Sequence, residues 1–310
     1  MNLQQLRYLC GVVQEDFSMS RAAKTLGTSQ PAISKQLRLL ERELGLDVLI
    51  RRGNRILGLT AAGEAIIESA RRAVWEADNL RRITGEITRG GAGRMVIATT
   101  HTYARYVLPP AIKGFVRAHP HVRLILRQGM PAMVSEWVAA GSADLGISGR
   151  TGAFSDELVF LPCERLIRGL FAPVRHALLR ERTLTLDHIA RHPLIMLDPE
   201  MEGGQAVMRA FGEAGIEPNV VLSAIDADVV KTYVAMGLGV AILLKVAYDA
   251  ARDRGLRVVD VGHLFEPTVP QIVLRRGAYL SNAMLEFIQR VAPDWDRPTL
   301  QAKLCGRTGP

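Results

Sequence analysis

Cysteine is scarce in this sequence, which contains only Cys10, Cys163 and Cys305. These residues are far apart and odd in number, so they do not suit the framework of a disulfide-stabilised secreted domain. The sequence also lacks a CxxC motif or a Cys/His cluster of the kind that binds zinc. We therefore expect three reduced thiols, and neither a metal nor another cofactor.

Long apolar runs are missing as well. The first residues, MNLQQLRYLC, hold no apolar core of signal-peptide length. The longest apolar stretch, residues 237–244, is too short to span a bilayer and ends at Lys245. The composition, with 48% apolar residues, is that of a globular protein with room for two or three domains. We expect a soluble cytoplasmic protein without a membrane partner.

Recognisable catalytic motifs are lacking. The sequence contains neither HExxH nor GxSxG, and no pair of carboxylates at a telling spacing. His101 has no obvious nucleophile or carboxylate partner in the sequence, which favours a structural role. GLGVA at 237–241 lies between a helix end and a strand, the wrong order for a dinucleotide-binding loop. An enzyme of doubly wound fold is therefore disfavoured.

Basic charge, by contrast, is concentrated near the N-terminus. Residues 1–58 carry nine Lys/Arg against five Asp/Glu, whereas residues 94–310 carry twenty-five against twenty-one. A charge excess alone is commonly just a solvated surface, but its density here falls on a segment with a second signal. Phosphate neutralisation on DNA requires such a basic segment.

That second signal is SRAAKTLGTSQPAISKQLRLL, residues 20–40, whose apolar residues recur at helical spacing. Gly27 breaks a first helix, and Thr28 or Ser29 can cap a second one. Pro31 falls in the first turn of that second helix, where a missing N–H costs little. The pattern predicts a helix-turn-helix, whose second helix enters the major groove of DNA.

The predicted DNA-binding side chains lie on the second helix and on a basic hairpin after it. The hairpin, a wing, is predicted from two short strands around the turn RRGNR. Guanidinium groups there can meet phosphates or a minor groove. The candidates are Gln30, Pro31, Ser34, Lys35 and Arg38 on the helix, and Arg51, Arg52 and Arg55 on the wing.

A long helix is predicted next, capped by Thr60 and running to about residue 88. Its apolar residues follow alternating steps of four and three, which is typical of a seam between two helices. This pattern favours a homodimer, although packing on the helix's own domain remains an alternative. Gly90, Gly91 and Gly93 then predict a hinge at 90–94. The seam residues are Ile66, Ala70, Ala73, Ala77, Leu80 and Ile87.

Beyond residue 94, short β-branched runs alternate with helical stretches, which predicts an α/β fold with largely parallel sheets. The length fits two Rossmann-like lobes, about 95–163 plus 268–293, and 164–267, followed by a polar tail at 294–310 to which no function is assigned. A cleft between two such lobes is a natural site for a small ligand.

The segment ATTHTYARYVLPP follows the first strand of this region and opens a helix. Thr99, Thr100 and Thr102 could present hydroxyls beside free backbone N–H groups, an arrangement that favours an anion. Plain capping without a ligand is an equally open alternative.

The N-terminal motifs together resemble the LysR-type transcriptional regulators. SQPAIS and LTxAG are a specific combination within about sixty-five contiguous residues. The resemblance implies that the positions of Gln30, Pro31, Ser34 and Lys35 meet the major groove, and that Arg52 meets DNA from the wing. It also implies a dimerising linker helix and lobes of the periplasmic-binding-protein type.

Several later segments, such as ATTHTYARYVLPPAIKGF and QGMPAMVSEWVAAGSADLGIS, are similar to the CysB-like subgroup, which regulates sulfur assimilation. The resemblance implies homotetramers on promoter DNA and a cleft that binds sulfate, acetylserine or an organosulfur compound. Thr100 and Thr102 match its ligand-binding positions. The other predicted ligand-binding residues are Ser148 and three that stand where the pattern has a different residue: Tyr103, Gly149 and Glu202.

The sequence therefore predicts a DNA-binding regulator of sulfur-metabolism genes. A regulator of the same class with a non-sulfur ligand is one alternative. A solute-binding protein is another, disfavoured by the DNA-reading segment and by the missing export signal. A carboxylate at Glu202 would repel sulfate unless it paired with a cation or turned away.

Overall fold

The computed structural model describes residues 1–53, 55–89, 93–149 and 156–306, and the side chains of all of these except 82 and 85–89. The chain divides into two compact units, Met1–Gly90 and Gly91–Pro310. Among the helices in these described ranges, none is both long and apolar enough to cross a membrane.

The first unit begins with three helices, α1 (Leu3–Gln14), α2 (Met19–Thr25) and α3 (Gln30–Leu44). A two-stranded antiparallel hairpin, β1 (Leu49–Arg52) and β2 (Arg55–Leu59), forms the predicted wing. The long helix α4 (Ala61–Arg89) follows. The caps explain these boundaries: Ser29 accepts from the Ala32 N–H, Gly45 is left-handed, and Thr60 accepts from the Gly63 N–H.

The core of this unit is made of the apolar stripes that the sequence predicted. Leu9 and Val12 of α1 and Ile33, Leu37 and Leu40 of α3 are fully buried together. The start of α4 lies against the wing, because a Cβ at Gly63 would be 2.1 Å from the Val48 carbonyl oxygen. Only glycine allows this close approach.

The first half of α4 packs on its own unit. Ile67 and Ala70 are buried in the core with α1, and Arg7 of α1 pairs with Asp78. The predicted seam had assigned Ala70 to a partner chain, so the intradomain alternative is correct for that residue. Leu80, further along the seam, is 61% exposed.

The second unit is an α/β structure. Its strands are β3 (Gly93–Thr99), β4 (Val122–Gln128), β5 (Leu145–Ser148), β6 (Leu158–Pro162), β7 (Arg168–Pro173), β8 (Leu194–Leu197), β9 (Val220–Ala224), β10 (Ala241–Leu244), β11 (Leu256–Asp260) and β12 (Gln271–Arg275). Its α-helices are α5 (Pro109–Ala118), α6 (Pro131–Ala139), α7 (Leu186–Ala190), α8 (Glu202–Glu213), α9 (Ala227–Ala235), α10 (Asn282–Val291) and α11 (Arg297–Leu304). Residues 90–92 of the predicted hinge lie outside the described residues, and Gly93 and Arg94 already belong to β3.

These elements form two lobes of similar topology. The first lobe has the sheet order β4-β3-β5-β12-β6. In the second, a bridge between Leu194 and Val240 joins β8-β9 to β10-β7-β11, which gives the order β9-β8-β10-β7-β11. The chain crosses between the lobes at 163–167 and 261–270, and these segments pair through Leu166 and Thr268.

The expectation of largely parallel sheets is only partly correct. In each lobe three neighbouring strands are parallel, β4-β3-β5 and β9-β8-β10. The strands β7 and β12 run antiparallel to their neighbours. They arrive directly from the other lobe rather than through a right-handed helical crossover, so nothing requires them to be parallel.

Part of the predicted polar tail at 294–310 is folded, because it contains the helix α11. Asp296 caps α11 by accepting from the Thr299 N–H at 2.9 Å, and Leu300 and Leu304 are buried in the core of the first lobe. The indole of Trp295 donates to the Pro162 carbonyl at 3.0 Å. Residues 307–310 lie outside the described residues.

Candidate functional site

The N-terminal end of α3 presents most of the predicted DNA-binding side chains to solvent. Gln30, Pro31, Lys35 and Arg38 are exposed and Ser34 is half-buried, because the buried stripe lies on the opposite face of the helix. The amide of Gln30 also donates to the Ser20 hydroxyl at 2.9 Å, which links the starts of α3 and α2.

A shallow groove joins this helix face to the wing. It is bordered by Gln30, Ser34 and Arg38 of α3 and by Gly53 at the tip of the wing. Donors and acceptors near a helix N-terminus and a flexible cation along the same groove suit base edges and phosphates. Lys35 is exposed but does not border the groove.

The wing arginines have different surroundings. Arg52 and Arg55 face each other at the end of the hairpin, and both are exposed. Arg51, also predicted to meet DNA, borders the same groove and is half-buried, with its guanidinium 2.7 Å from the Glu41 carboxylate. The same carboxylate accepts from the backbone N–H groups of Val48 and Leu49, at 3.0 and 3.1 Å.

A second candidate site lies between the two lobes of the second unit. The first lobe contributes Thr100, Thr102, Tyr103 and Gly149, and the second contributes Glu202, among other residues. A π-helical turn, Tyr103–Val107, interrupts the predicted helix after β3. Turns of this kind are frequent at functional sites.

Two of the predicted ligand residues donate their hydroxyl hydrogen bonds to backbone carbonyl groups. Thr99 is fully buried and donates to the Ile147 carbonyl at 2.7 Å. Ser148 is buried and donates to the Gly149 carbonyl at 3.1 Å. Neither borders the cleft, so both hold the strand ends β3 and β5 that present Thr100 and Gly149.

The three residues that depart from the resembled pattern lie together. The Tyr103 hydroxyl is 3.5 Å from the Glu202 carboxylate, and a Cβ at Gly149 would lie 1.4 Å from an oxygen of that carboxylate. Glycine at 149 thus makes room for Glu202, the first residue of α8. Burial and the negative charge of Glu202 raise the pKa of Tyr103 well above its ordinary value, so its hydroxyl stays protonated.

Sequence reasoning missed the buried cation of this cleft, Arg168. This residue begins β7, borders the cleft and donates to the Thr268 hydroxyl at 2.9 Å. Burial lowers the pKa of Arg168, and the charge of Glu202 opposes that effect. The sequence does contain a signal for this residue, since Arg168 begins the apolar run RGLFAP. The sequence analysis did not predict that run as a strand.

A cluster of charged and polar side chains joins the two lobes. Arg105 and Tyr106 of the first lobe donate to the Asp228 carboxylate of α9, at 2.7 and 2.5 Å. His101 lies 3.0 Å from Asp226. His101, Asp226 and Asp228 could offer three atoms to a metal ion. Because Arg105 already neutralises Asp228, we assign the cluster to contacts between the lobes.

Comparison with known proteins gives a consistent result for both units. The family described as "Bacterial regulatory helix-turn-helix protein, lysR family" matches residues 3–64. The family described as "LysR substrate binding domain" matches residues 88–296.

Individual relatives span nearly the whole chain. The HTH-type transcriptional regulator SsuR of Burkholderia cenocepacia is 41% identical over 293 residues, which cover 94% of this chain and 95% of the relative. The regulator CysB of the same organism is 41% identical over 308 residues, covering 99% and 98%. The solved cofactor-binding domain of the Cbl transcriptional regulator is 34% identical, with a TM-score of 0.65, over 69% of this chain and 93% of that one.

Proposed function

Because this chain belongs to the lysR family of bacterial helix-turn-helix regulators, we propose that it binds promoter DNA through α3 and the wing, under the control of a small ligand in the interlobe cleft. The chain is a transcriptional regulator and not an enzyme. The main support for DNA binding is the exposed polar face at the start of α3, which borders the same groove as the wing.

In this proposal the side chains divide into three roles. Gln30, Pro31 and Ser34 meet base edges in the major groove, where amides and hydroxyls can read sequence. Lys35, Arg38, Arg52 and Arg55 contact phosphates or the minor groove. Arg51, held by Glu41, positions the wing and borders the groove that faces DNA in this proposal.

The second half of α4 is the proposed dimer contact. Leu80 is an exposed leucine on the predicted seam of a long helix, and burying it against a partner helix would remove apolar surface from water. A dimer would place two reading heads on a two-fold-related DNA site, and two dimers would form the tetramer implied by the resemblance.

The cleft is the proposed ligand site. Thr100 and Thr102 follow β3 and carry hydroxyls suited to an anionic group, and the ligand would change the relation of the lobes. The similarity to CysB and SsuR supports a sulfur-containing metabolite and target genes of sulfur metabolism. A regulator of this kind acts in the bacterial cytoplasm, where promoter DNA is located.

Selection of genomic fragments by the purified full-length chain tests this function. We expect enrichment of promoter fragments of sulfur-metabolism genes, and at least tenfold weaker retention by the combined variant Gln30→Ala, Ser34→Ala and Lys35→Ala. Equal retention of the same fragments by that variant would show that α3 does not read DNA. If only promoters of genes outside sulfur metabolism were enriched, the chain would be a regulator of the same class with a non-sulfur ligand.

A further inference from the structure

Tyr106 is a side chain of the first lobe that lies against the second lobe. Its ring packs beside the core of the second lobe that contains Phe171 and Val230. Its hydroxyl donates to the Asp228 carboxylate at 2.5 Å, and the Lys231 ammonium lies 5.0 Å from the centre of its ring. Apolar packing, a charge-assisted hydrogen bond and a cation–π contact thus all join this side chain to the other lobe.

The carboxylate that accepts from Tyr106 is fixed on its own lobe. Asp228 lies in the first turn of α9, where a negative charge is favourable. The ammonium group of Lys231 lies 3.4 Å from it and is held in turn by Asp253 at 3.0 Å. Arg105 of the first lobe adds an ion pair with the same carboxylate at 2.7 Å. Asp228 is therefore a positioned acceptor that two first-lobe side chains share.

These contacts adjoin the cleft along the chain in both lobes. Arg105 and Tyr106 belong to the π-helical turn that begins with Tyr103, and Tyr103 borders the cleft. In the second lobe, Ala227 borders the cleft and immediately precedes Asp228. A displacement of either wall of the cleft would therefore move one partner of the contact.

The two segments in which the chain crosses between the lobes have the form of a hinge. They pair through Leu166 and Thr268, and hinges of this kind are common between domains that close around a ligand. A hinge alone does not select one arrangement of the lobes, so other contacts have to hold them together.

We propose that Arg105, Tyr106 and Asp228 form an interlobe latch, and that the cleft opens only when this latch breaks. This inference rests on the proposed function, because it names the contacts through which a ligand in the cleft would change the relation of the lobes.

Distances between spin labels on the two lobes of the full-length chain test the inference. Cys305, which is exposed next to α11 of the first lobe, carries one label. Glu213→Cys carries the other, because Glu213 is exposed at the end of α8, about 18 Å along that helix from the cleft. Burial raises the pKa of Cys10 to about 11 and that of Cys163 to about 12, so both thiols stay protonated during labelling at pH 7.

The labelled chain is diluted in an excess of unlabelled chain, so that each measured distance lies within one chain. The native sequence without Glu213→Cys provides the background signal.

The combined variant Arg105→Glu and Tyr106→Phe removes both first-lobe partners of Asp228 and places a like charge beside it. We expect it to raise the ratio of separated to joined lobes by about tenfold or more, which appears as a second, longer distance. The single variant Arg105→Gln changes only an exposed side chain, so it should fold without difficulty and give a smaller shift in the same direction.

The control variant makes the same two substitutions at contacts within the second lobe. Arg252→Glu removes an ion pair with Asp249, and Tyr248→Phe removes a hydrogen bond to the Leu256 carbonyl. We expect this combined variant to give the native distance distribution. Circular dichroism and thermal denaturation establish that each variant is folded.

A native distance distribution in both Arg105→Gln and the combined latch variant would overturn the inference. A longer distance in the control variant as well would also overturn it, because the lobes would then separate on the loss of any contact. Selection of genomic fragments with the same preparation separates these results from failure of the proposed function. A chain that retains promoter DNA without a latch is a regulator whose lobes are held by other contacts.

Discussion

The carboxylate of Glu41 lies 2.7 Å from the guanidinium of Arg51, and this pair ties the first strand of the wing to the helix that presents Gln30 and Ser34. Glu41 is only 7% exposed and also accepts the backbone N–H groups of Val48 and Leu49, at the start of β1. Glu41 therefore helps to fix the orientation of the wing relative to α3.

Replacing that acid should loosen the wing. Glu41→Ala leaves Arg51 and the N–H groups of Val48 and Leu49 without their acceptor, at a cost of about 3 kcal/mol. Hydrogen exchange at residues 48–49 should become about a hundredfold faster. Glu43→Ala, an exposed acid on the same helix, should leave this exchange unchanged. Equal protection in both variants would mean that other contacts hold the wing.

Lys35 and Arg42 lie on the same helix and are both exposed, but only Lys35 lies at the end proposed to enter DNA. Lys35→Ala should weaken binding to all sequences and reduce the slope of log affinity against log salt by about 1, since one phosphate contact is lost. Arg42→Ala should leave the slope within error of the native value. Anisotropy titrations at several salt concentrations measure both, and equal slopes would remove Lys35 from the interface.

Oligomerisation should depend on the exposed half of α4. Leu80→Ala should raise the dimer dissociation constant by about tenfold or more, because it removes a leucine from the proposed seam. Leu57→Ala, an equally exposed leucine on the wing, serves as the matched control. Analytical ultracentrifugation measures both variants. A Leu80→Ala chain with the native dissociation constant would place the dimer contact elsewhere.

The contact between Asp228 and Tyr106 should make the second unit sensitive to acid. Burial alone would raise the pKa of Asp228, but the hydrogen bond from Tyr106 and the charges of Lys231 and Arg105 hold it below its ordinary value of 3.8. A carboxyl group with a lowered pKa in the folded state contributes stability above pH 3.8. This contribution is lost as the pH falls through the lowered pKa.

Asp228→Asn should therefore destabilise the second unit at pH 7 by about 1–2 kcal/mol, since the group is partly solvated. The variant should also lose less stability than the native chain as the pH falls below 4. Asp294→Asn, at an exposed position near the C-terminus, should behave like the native chain. Denaturation midpoints measured across this pH range test the prediction. If the stability of Asp228→Asn fell with pH in parallel with that of the native chain, Asp228 would not be the group responsible.

Much of the first unit could be predicted from the sequence because its signals are local. The stripes containing Leu9 and Leu37 follow helical spacing, and the helix boundaries coincide with the capping residues Ser29 and Thr60. The long helix α4 was also predicted, but not which part of it packs against α1. A heptad pattern shows which face is apolar and does not identify what covers it.

The strands of the second unit were harder to predict from the sequence. The strands β6, β7 and β12 pair with strands that are distant in the sequence, so local patterns did not indicate them. Arg168 begins β7 and Arg275 ends β12, and both are buried, although arginine at these positions did not indicate buried strands. The final helix α11 was hidden by a polar composition, although Leu300 and Leu304 are buried.

The interlobe cleft could likewise be predicted only in part from the sequence. Thr100 and Thr102 follow a recognisable strand, whereas Glu202 lies beside Gly149 only when both lobes are folded. Likewise, Arg51 could be placed on the wing from sequence, but not beside Glu41 ten residues earlier. Separation along the chain hides such contacts.

Genome-wide mapping of bound sites in the native host shows whether this chain regulates sulfur-metabolism genes. We predict that the native chain occupies promoters of sulfur-metabolism genes in a pattern that changes between sulfate-limited and sulfate-replete growth. The variant Gln30→Ala, Ser34→Ala and Lys35→Ala, present at the same level, should lose that occupancy. Retention of the same sites by the variant would show that α3 does not read DNA. Binding of the native chain only at sites unconnected with sulfur metabolism would exclude a sulfur regulator.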